Sequence, residues 1–392
     1  MRTYDAIVVG ARCAGSPTAM LLGRQGLRVL VVDRARYGSD TVSTHALMRR
    51  GVLQLQRWGL LDRVVSAGTP AVTSVLFHYP DETVRISLKP TAGVPALYAP
   101  RRTVLDRILA DAAIEAGAEV RFQTTMTEVL RNSSGRVIGI AARDSAGRRF
   151  DAHAPITIGA DGIRSSVAQA VAAPVVRAAA RGGAFRYGYW GDLPTEGYEW
   201  FYAPGTSAGL IPTNDGQTLL FVGTTAERMH ALRATQSGEA LDALLQTVSL
   251  EAWRRVSAAR PPSSLRGFAG ASGYLRQAGG PGWALVGDAG AFEDPLSTHG
   301  ITDAFRDAEL LATAIRSIND GVGEADALTG YQDRRDQLAG RLFTVADTIG
   351  SYSWTMATLR PLLLEASAAM TEQVEAMQEL DEDDRVDAVH TA

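Results

Sequence analysis

The most constraining feature lies at the start of the chain, between Tyr4 and Asp33. A short apolar strand, Tyr4 to Val9, runs into Gly10-Ala11-Arg12-Cys13-Ala14-Gly15, a helix-patterned stretch from Ser16 to Gln25 follows, and a second apolar run, Leu27 to Val32, ends at Asp33. Strand, small-residue turn, helix and buried strand in this order predict a βαβ unit with parallel strands. The first glycine permits a tight turn, and the third lets the helix pack close to the strand. The middle position, where a glycine lets the backbone approach a pyrophosphate, is Arg12. An outward-turned Arg12 leaves its amide available and adds positive charge. The helix N-terminus offers unpaired N–H groups and the positive end of its dipole to a phosphate. Asp33 follows the helix, at the end of the second strand. A carboxylate there suits two ribose hydroxyls and disfavours a 2′-phosphate. By itself this unit does not separate NAD from FAD.

The chain has 392 residues, enough for two to three domains' worth of core. A net charge of −4 provides no basic excess to displace phosphate counterions, which argues against nucleic-acid binding. Cys13 is the only cysteine, so an intramolecular disulfide and cysteine-rich zinc sites are excluded, and no metal site is expected. The N-terminus carries Asp5 before a short apolar run rather than a secretory core, and no stretch reaches the ~18 apolar residues of a membrane span. A cytoplasmic protein is expected, as a monomer or homodimer. Lys89 is the only lysine among 39 basic side chains, so any chemistry that needs a lysine has one candidate.

Further along, His45 to Trp58 has helical spacing, and Val72 to His78 with Thr83 to Leu88 reads as a hairpin through Pro80-Asp81-Glu82. Arg102 to Ala116 reads as a helix closed by Gly117, and Glu119 to Gln123 as a strand. Residues 175–271 are rich in aromatic, strand-like segments, with helical patterning over 236–258. Nucleotide-fold patterning then returns: Trp283 to Val286 as a strand, Gly287-Asp288 as a turn and Gly300 to Ile315 as a helix. Two long helical stretches close the chain, and the acidic run Glu379 to Asp387 reads as a disordered tail. The fold class expected is α/β. A Rossmann-like nucleotide layer (1–70, 101–174 and 272–322) is interrupted by a β-rich substrate domain (71–100 and 175–271), and 323–392 forms C-terminal helices and an acidic tail.

Three distant segments sharpen the ligand. Arg102-Thr103-Val104-Leu105-Asp106 opens a helix with a guanidinium suited to phosphate or ring carbonyls. Gly159-Ala160-Asp161-Gly162-Ile163-Arg164 brings a carboxylate and a guanidinium to a strand–turn. Gly287-Asp288-Ala289, then Asp294-Pro295-Leu296-Ser297-Thr298-His299-Gly300, places a carboxylate and a helix N-terminus in sequence, the latter suited to a developing anion. This ordered set resembles the FAD-dependent oxidoreductases of the para-hydroxybenzoate hydroxylase superfamily, the class A flavoprotein monooxygenases, over about residues 4–320. "GARCAG" and "GDAG…DPLSTHGITDAF" look more like its branch related to geranylgeranyl reductases and flavin halogenases.

The resemblance implies FAD and NAD(P)H as cofactors. Gly10, Arg12, Ala14 and Gly15 would face the FAD pyrophosphate, Asp33 and Arg34 the adenosine ribose, and the backbone of Met126 the adenine. Arg102 would reach the flavin side, Asp288 the ribityl–phosphate region, and Pro295 to Ile301 the isoalloxazine, with the amides of Gly300 and Ile301 at its developing negative charge. Asp161 and Arg164 match a segment serving both FAD and NAD(P)H. Two departures stand out: Arg12 replaces the middle glycine, and Ser43-Thr44-His45 stands where the hydroxylases place arginines beside a mobile flavin. His45, His299 and Pro295 are the catalytic candidates, weighed against hydrogen-bonded structural histidines. The activity expected is a monooxygenase hydroxylating an aromatic or polycyclic apolar small molecule through a flavin C4a-hydroperoxide. The alternatives are a reductase or dehydrogenase acting on C=C or C–C bonds, then a lysine-dependent halogenase through Lys89, then a non-catalytic partner-binding relative. Phe185, Tyr187, Tyr189, Trp190, Trp200 and Tyr202 fit either an aromatic substrate wall or an ordinary sheet face.

Overall fold

A computed structural model describes residues 3–91, 93–232 and 237–390, with residues 237, 238 and 377–390 described as backbone alone. The Ile/Val-rich runs form the centre of a six-stranded sheet. Its order is Gly279–Gly280, Trp283–Leu285, Ile156–Gly159, Ala6–Val9, Val29–Asp33 and Glu119–Phe122, and all neighbours are parallel except the first pair. The strands Ala6–Val9 and Val29–Asp33 are buried along their whole length, as continuous apolar runs require in a sheet covered on both faces. Helices Gly15–Arg24 and Arg102–Glu115 pack together on one side, with Gly300–Asn319 against the first of them. A three-stranded meander, Thr125–Arg131, Val137–Arg143 and Arg149–His153, covers the other side.

The larger sheet has seven strands, ordered Arg266–Phe268, Gly183–Gly191, Gln217–Thr225, Thr206–Pro212, Tyr198–Ala203, Ser74–His78 and Thr83–Ser87. Across its middle strands both faces are buried, by different partners, while the edge strand Thr83–Ser87 is exposed. Phe185, Tyr187, Trp200, Tyr202, Ile211, Leu219 and Phe221 join the core shared with the nucleotide layer. Ala184, Trp190, Phe201, Leu210, Leu220 and Val222 pack instead under helices Ala226–Leu232, Ser237–Val248 and Leu250–Ala258. The period-2 alternation thus separates the aromatic set: Tyr189 packs against the first core and Trp190 belongs to the second. A small sheet, Val175–Ala178, Tyr274–Arg276 and Ala291–Phe292, joins the two layers.

Two sequence expectations shift. The helix expected from His45 begins at Arg49, because Leu47 donates its amide to the Tyr98 carbonyl at 2.9 Å and holds 45–48 in a bridge. His45 adopts φ +46° at that turn. Helices Glu324–Gly350 and Met356–His390 close the chain, and the acidic run read as disordered lies on the last turns of the second, beyond the described side chains. No helix among the described residues is long and apolar enough to cross a membrane.

Candidate cofactor and active site

The glycine turn is shaped by close backbone approach. A Cβ at Gly15 would lie 1.8 Å from the Gly10 carbonyl oxygen, and one at Gly10, which sits at φ +108°, 2.4 Å from the Ala160 oxygen. Neither contact is possible for a real side chain, so both glycines are required by the fold of the turn. Asp33 closes it from the next strand. Its Oδ2 accepts the Ala11 amide and its Oδ1 the Ala35 amide, each at 2.7 Å. A carboxylate has about four acceptor positions, so two remain for hydroxyl donors.

Arg12, the departure from the glycine pattern, points away from the turn. Its guanidinium donates to Asp106 Oδ2 at 2.8 Å and to Ser39. Arg102 donates to the same carboxylate from one helical turn earlier, at 2.9 and 3.2 Å. The Cys13 thiol also donates to Asp106, at 3.3 Å, and burial pushes it far up from its usual range, so it stays a neutral packed side chain. Asp106, which the sequence pattern does not single out, therefore gathers both arginines beneath the turn. A cleft of about 530 Å³ lined by Arg34, Gln123, Thr125, Thr127, Arg143, Asp144 and Ser145 continues outward beside Asp33. Met126 lies between two of these lining residues in the strand Thr125–Arg131, with its side chain turned into the core.

Asp161 and Asp288 differ in availability. Asp161 accepts the Ser165 and Ser166 hydroxyls and the Ser166 amide at 2.5–2.6 Å, organising the start of the short helix Ser166–Ala170. Arg164 is exposed. Burial raises Asp288 to about 6, with the Arg102 guanidinium opposing the shift. Tyr274 ties this turn to the small sheet by donating to the Asp288 and Ile163 carbonyls.

The segment after it delivers a helix N-terminus. Asp294 caps the turn Pro295–Ser297, Thr298 takes the left-handed conformation at φ +54°, and helix Gly300–Asn319 starts with Gly300 exposed and no side-chain cap. The aligned peptide dipoles of this long helix thus end on its first-turn amides, Gly300 and Ile301 among them, with no side-chain cap. His45 and Tyr189 are stacked with ring centroids 5.5 Å apart, and the Arg101 guanidinium lies 3.5 Å from the Tyr189 centroid. Both His45 ring nitrogens and the Tyr189 hydroxyl are buried with no partner among the described residues. Burial, reinforced by Arg101 and Arg102, holds His45 neutral, and burial raises the Tyr189 hydroxyl. His299 is buried with Nδ1 unpartnered among the described residues. Tyr352 and Trp354 close one end of the aromatic wall from inside the molecule: Tyr352 bonds the Ser207 hydroxyl at 2.8 Å and Trp354 packs edge-on to Tyr202. Lys89 is exposed.

A glycine cradle without room for Cβ atoms, a strand-end carboxylate with acceptor capacity left, and an uncapped helix N-terminus fit a flavin dinucleotide. A family model described as an FAD binding domain matches residues 3–346. The chain belongs to this FAD-binding family. It is an FAD-dependent oxidoreductase, and its relatives are enzymes of that class. Menaquinone reductase of Mycolicibacterium smegmatis is 27% identical, with 98% of this chain and 93% of that protein covered. Digeranylgeranylglycerophospholipid reductase of Methanothrix thermoacetophila is 26% identical, with 86% and 84% covered. Among solved structures, the flavin-dependent brominase Bmp2, as a triple mutant, superposes with a TM-score of 0.79 at 18% identity over 97% of this chain and all of that one. PqsL of Pseudomonas aeruginosa, a probable FAD-dependent monooxygenase, superposes at 0.72 with 23% identity over 95% and 100%. At these identities the structural likeness establishes the fold. Of the residues singled out in the sequence, the structure puts Arg102 beside Asp288 and Asp33 under the glycine turn, and it buries His45 and His299. The sequence pattern does not single out Asp106 or Arg101, whose partners Arg12 and Tyr189 lie far away in the chain, and it reads Tyr189 only as part of a wall.

Proposed function

We propose that this flavoenzyme reduces a C=C or quinone bond of an apolar substrate carrying an isoprenoid chain, with NAD(P)H as the source of electrons. The observation that carries this reading is the end-to-end relationship to a protein named for reducing menaquinone, joined by others named for reducing digeranylgeranyl phospholipids. Both names denote molecules with long isoprenoid chains. The bound FAD would supply hydride transfer; the chain's own residues hold it and manage charge and protons.

Gly10, Ala14 and Gly15 would receive the pyrophosphate, with Asp33 and Arg34 at the ribose, Met126 near the adenine and Asp288 with Arg102 toward the ribityl side. The Gly300 and Ile301 amides stabilise negative charge beside them. Phe185, Tyr187, Trp200 and Tyr202 make an apolar wall that keeps water from the reacting carbon. The Tyr189 hydroxyl, buried and without a partner among the described residues, would supply the proton that balances the hydride, to carbon in a C=C substrate or to oxygen in a quinone, with His45 stacked behind it. Pro295 stiffens the turn that leads into the helix.

A second reading, hydroxylation of an aromatic or polycyclic molecule, is favoured by the same aromatic wall. Anaerobic incubation of the reduced holoenzyme with menaquinone and with geranylgeranyl compounds, followed by mass analysis, separates the two. Product that has gained two hydrogens without O₂ supports the reductase. Product only in air, carrying one added oxygen atom, rejects it in favour of the hydroxylase.

A further inference from the structure

Behind the cofactor-facing turn the buried polar side chains form one network. Arg50 Nη2 and Arg306 Nη1 both donate to Asp303 Oδ1, at 2.6 and 2.8 Å, and Arg306 Nε donates to Asp307 Oδ1 at 2.9 Å. Asp307 Oδ2 in turn accepts the Gly287 amide at 3.1 Å. Two guanidiniums are thus balanced by two carboxylates. The third acid, Glu293, has both carboxyl oxygens buried without a partner among the described residues, and burial raises it well above the usual range, with Arg306 and Arg50 opposing.

Gln373, from the last helix, enters this network at 2% exposure. Its Oε1 accepts Arg50 Nη1 at 2.5 Å, and its Nε2 donates to the Leu338 carbonyl at 2.8 Å. His299 Nε2 lies 3.1 Å from that same Oε1. The assignment of these atoms is forced. A guanidinium has only donors, so the atom it meets on Gln373 is oxygen; a backbone carbonyl only accepts, so the other end is the amide nitrogen. An imidazole nitrogen facing that oxygen must donate. A neutral ring has one N–H, and burial pushes His299 down to about 4, with Arg50 and Arg306 adding to that shift and Asp303 and Gln373 opposing it. The proton therefore sits on Nε2, and Nδ1 is a bare, buried acceptor without a donor among the described residues.

We propose that Gln373 is a positioning residue that locks His299 in the Nε2–H tautomer and so presents a bare Nδ1 beside the first turn of the cofactor-facing helix. The C-terminal helix thereby decides which face of a cofactor-side histidine accepts a hydrogen bond. A side chain kept only for packing would not care which nitrogen bears the proton.

The test is the ring-nitrogen NMR spectrum of ¹⁵N-histidine holoenzyme at pH 7. The chain has six histidines, and the His299 signals are assigned by their loss in His299→Gln. The wild type is expected to show a protonated Nε2 and an unprotonated Nδ1. Gln373→Met, of similar volume but without an acceptor, is expected to draw the two signals toward a mixture of tautomers. Gln373→Glu, which keeps the acceptor, is expected to retain the wild-type Nε2–H. An unchanged pattern in Gln373→Met, or a wild-type proton on Nδ1, overturns the proposal. If Gln373→Met does not fold, the wild type and Gln373→Glu decide it, and loss of Nε2–H in either counts against it.

Discussion

Asp294 Oδ2 accepts the backbone amide of Gly183 at 2.6 Å, which fastens the turn Pro295–Ser297 to the first residue of the second strand of the large sheet. Its other oxygen accepts the Leu296 amide at 2.9 Å, so one carboxylate shapes the turn and anchors it to the large sheet.

Replacing Asp294 by Ala leaves two amides without an acceptor, at a cost of about 1–3 kcal/mol. The pH dependence carries a second signature. Burial raises Asp294 to about 6, so the fold prefers its protonated form. The stability from that preference is full below the unfolded value of 3.8 and is lost as pH rises through about 6, on the order of 3 kcal/mol in all. Denaturant midpoints at several pH values between 4 and 7 should fall more steeply with pH in the wild type than in Asp294→Ala. Parallel curves would show that Asp294 does not titrate in this range.

Asp33→Ala removes the acceptor of the Ala11 and Ala35 amides and, on this reading, of the ribose hydroxyls. A charged hydrogen-bond acceptor is worth about 1.5–3 kcal/mol, so the FAD Kd of the apoprotein should weaken roughly ten- to a hundredfold. Flavin fluorescence quenching measures it, and an unchanged Kd would place the ribose elsewhere.

Tyr189→Phe keeps the ring against His45 and under Arg101 and removes only the hydroxyl. If that hydroxyl holds the substrate proton, kcat should fall about a hundredfold with FAD affinity intact. Full turnover in this variant would take Tyr189 out of the chemistry and leave it as wall.

Lys89→Ala alters an exposed strand-end side chain. FAD content and turnover should match the wild type within twofold, since surface changes of this kind cost little. No second lysine exists to substitute for it, so a halogenation activity that vanished in this variant would revive the lysine-dependent reading.

How much of this is legible in the sequence depends on the range of each interaction. The first βαβ unit is local: apolar runs, glycine spacing and a strand-end acid follow one another without a break from Tyr4 to Asp33, and Asp33 meets Ala11 where that pattern requires. The aromatic strands are half legible. Alternation puts Tyr189 and Trp190 on opposite faces, but both faces of the sheet's middle strands are buried, so polarity does not say which one looks toward the cofactor layer. His45 reads as helical by spacing and is not, because Leu47 is drawn off by the Tyr98 backbone, a partner far along the chain. Gln373 is invisible as a site residue: on an amphipathic helix a glutamine reads as surface, and only tertiary packing brings it to Arg50 and His299.

The strand order of the nucleotide sheet also bears on how the protein is made. Trp283–Leu285 pairs with Ile156–Gly159, which pairs with Ala6–Val9, so a ribosome must extend the chain past Leu285 before this sheet has its full set of parallel strands, and past Ile301 before the N-terminus of helix Gly300–Asn319 is present. A nascent chain holding the glycine turn and Asp33 is still an incomplete vessel for the cofactor. On the proposed placement of FAD, the residues that would hold the cofactor come together only after most of the chain has been made.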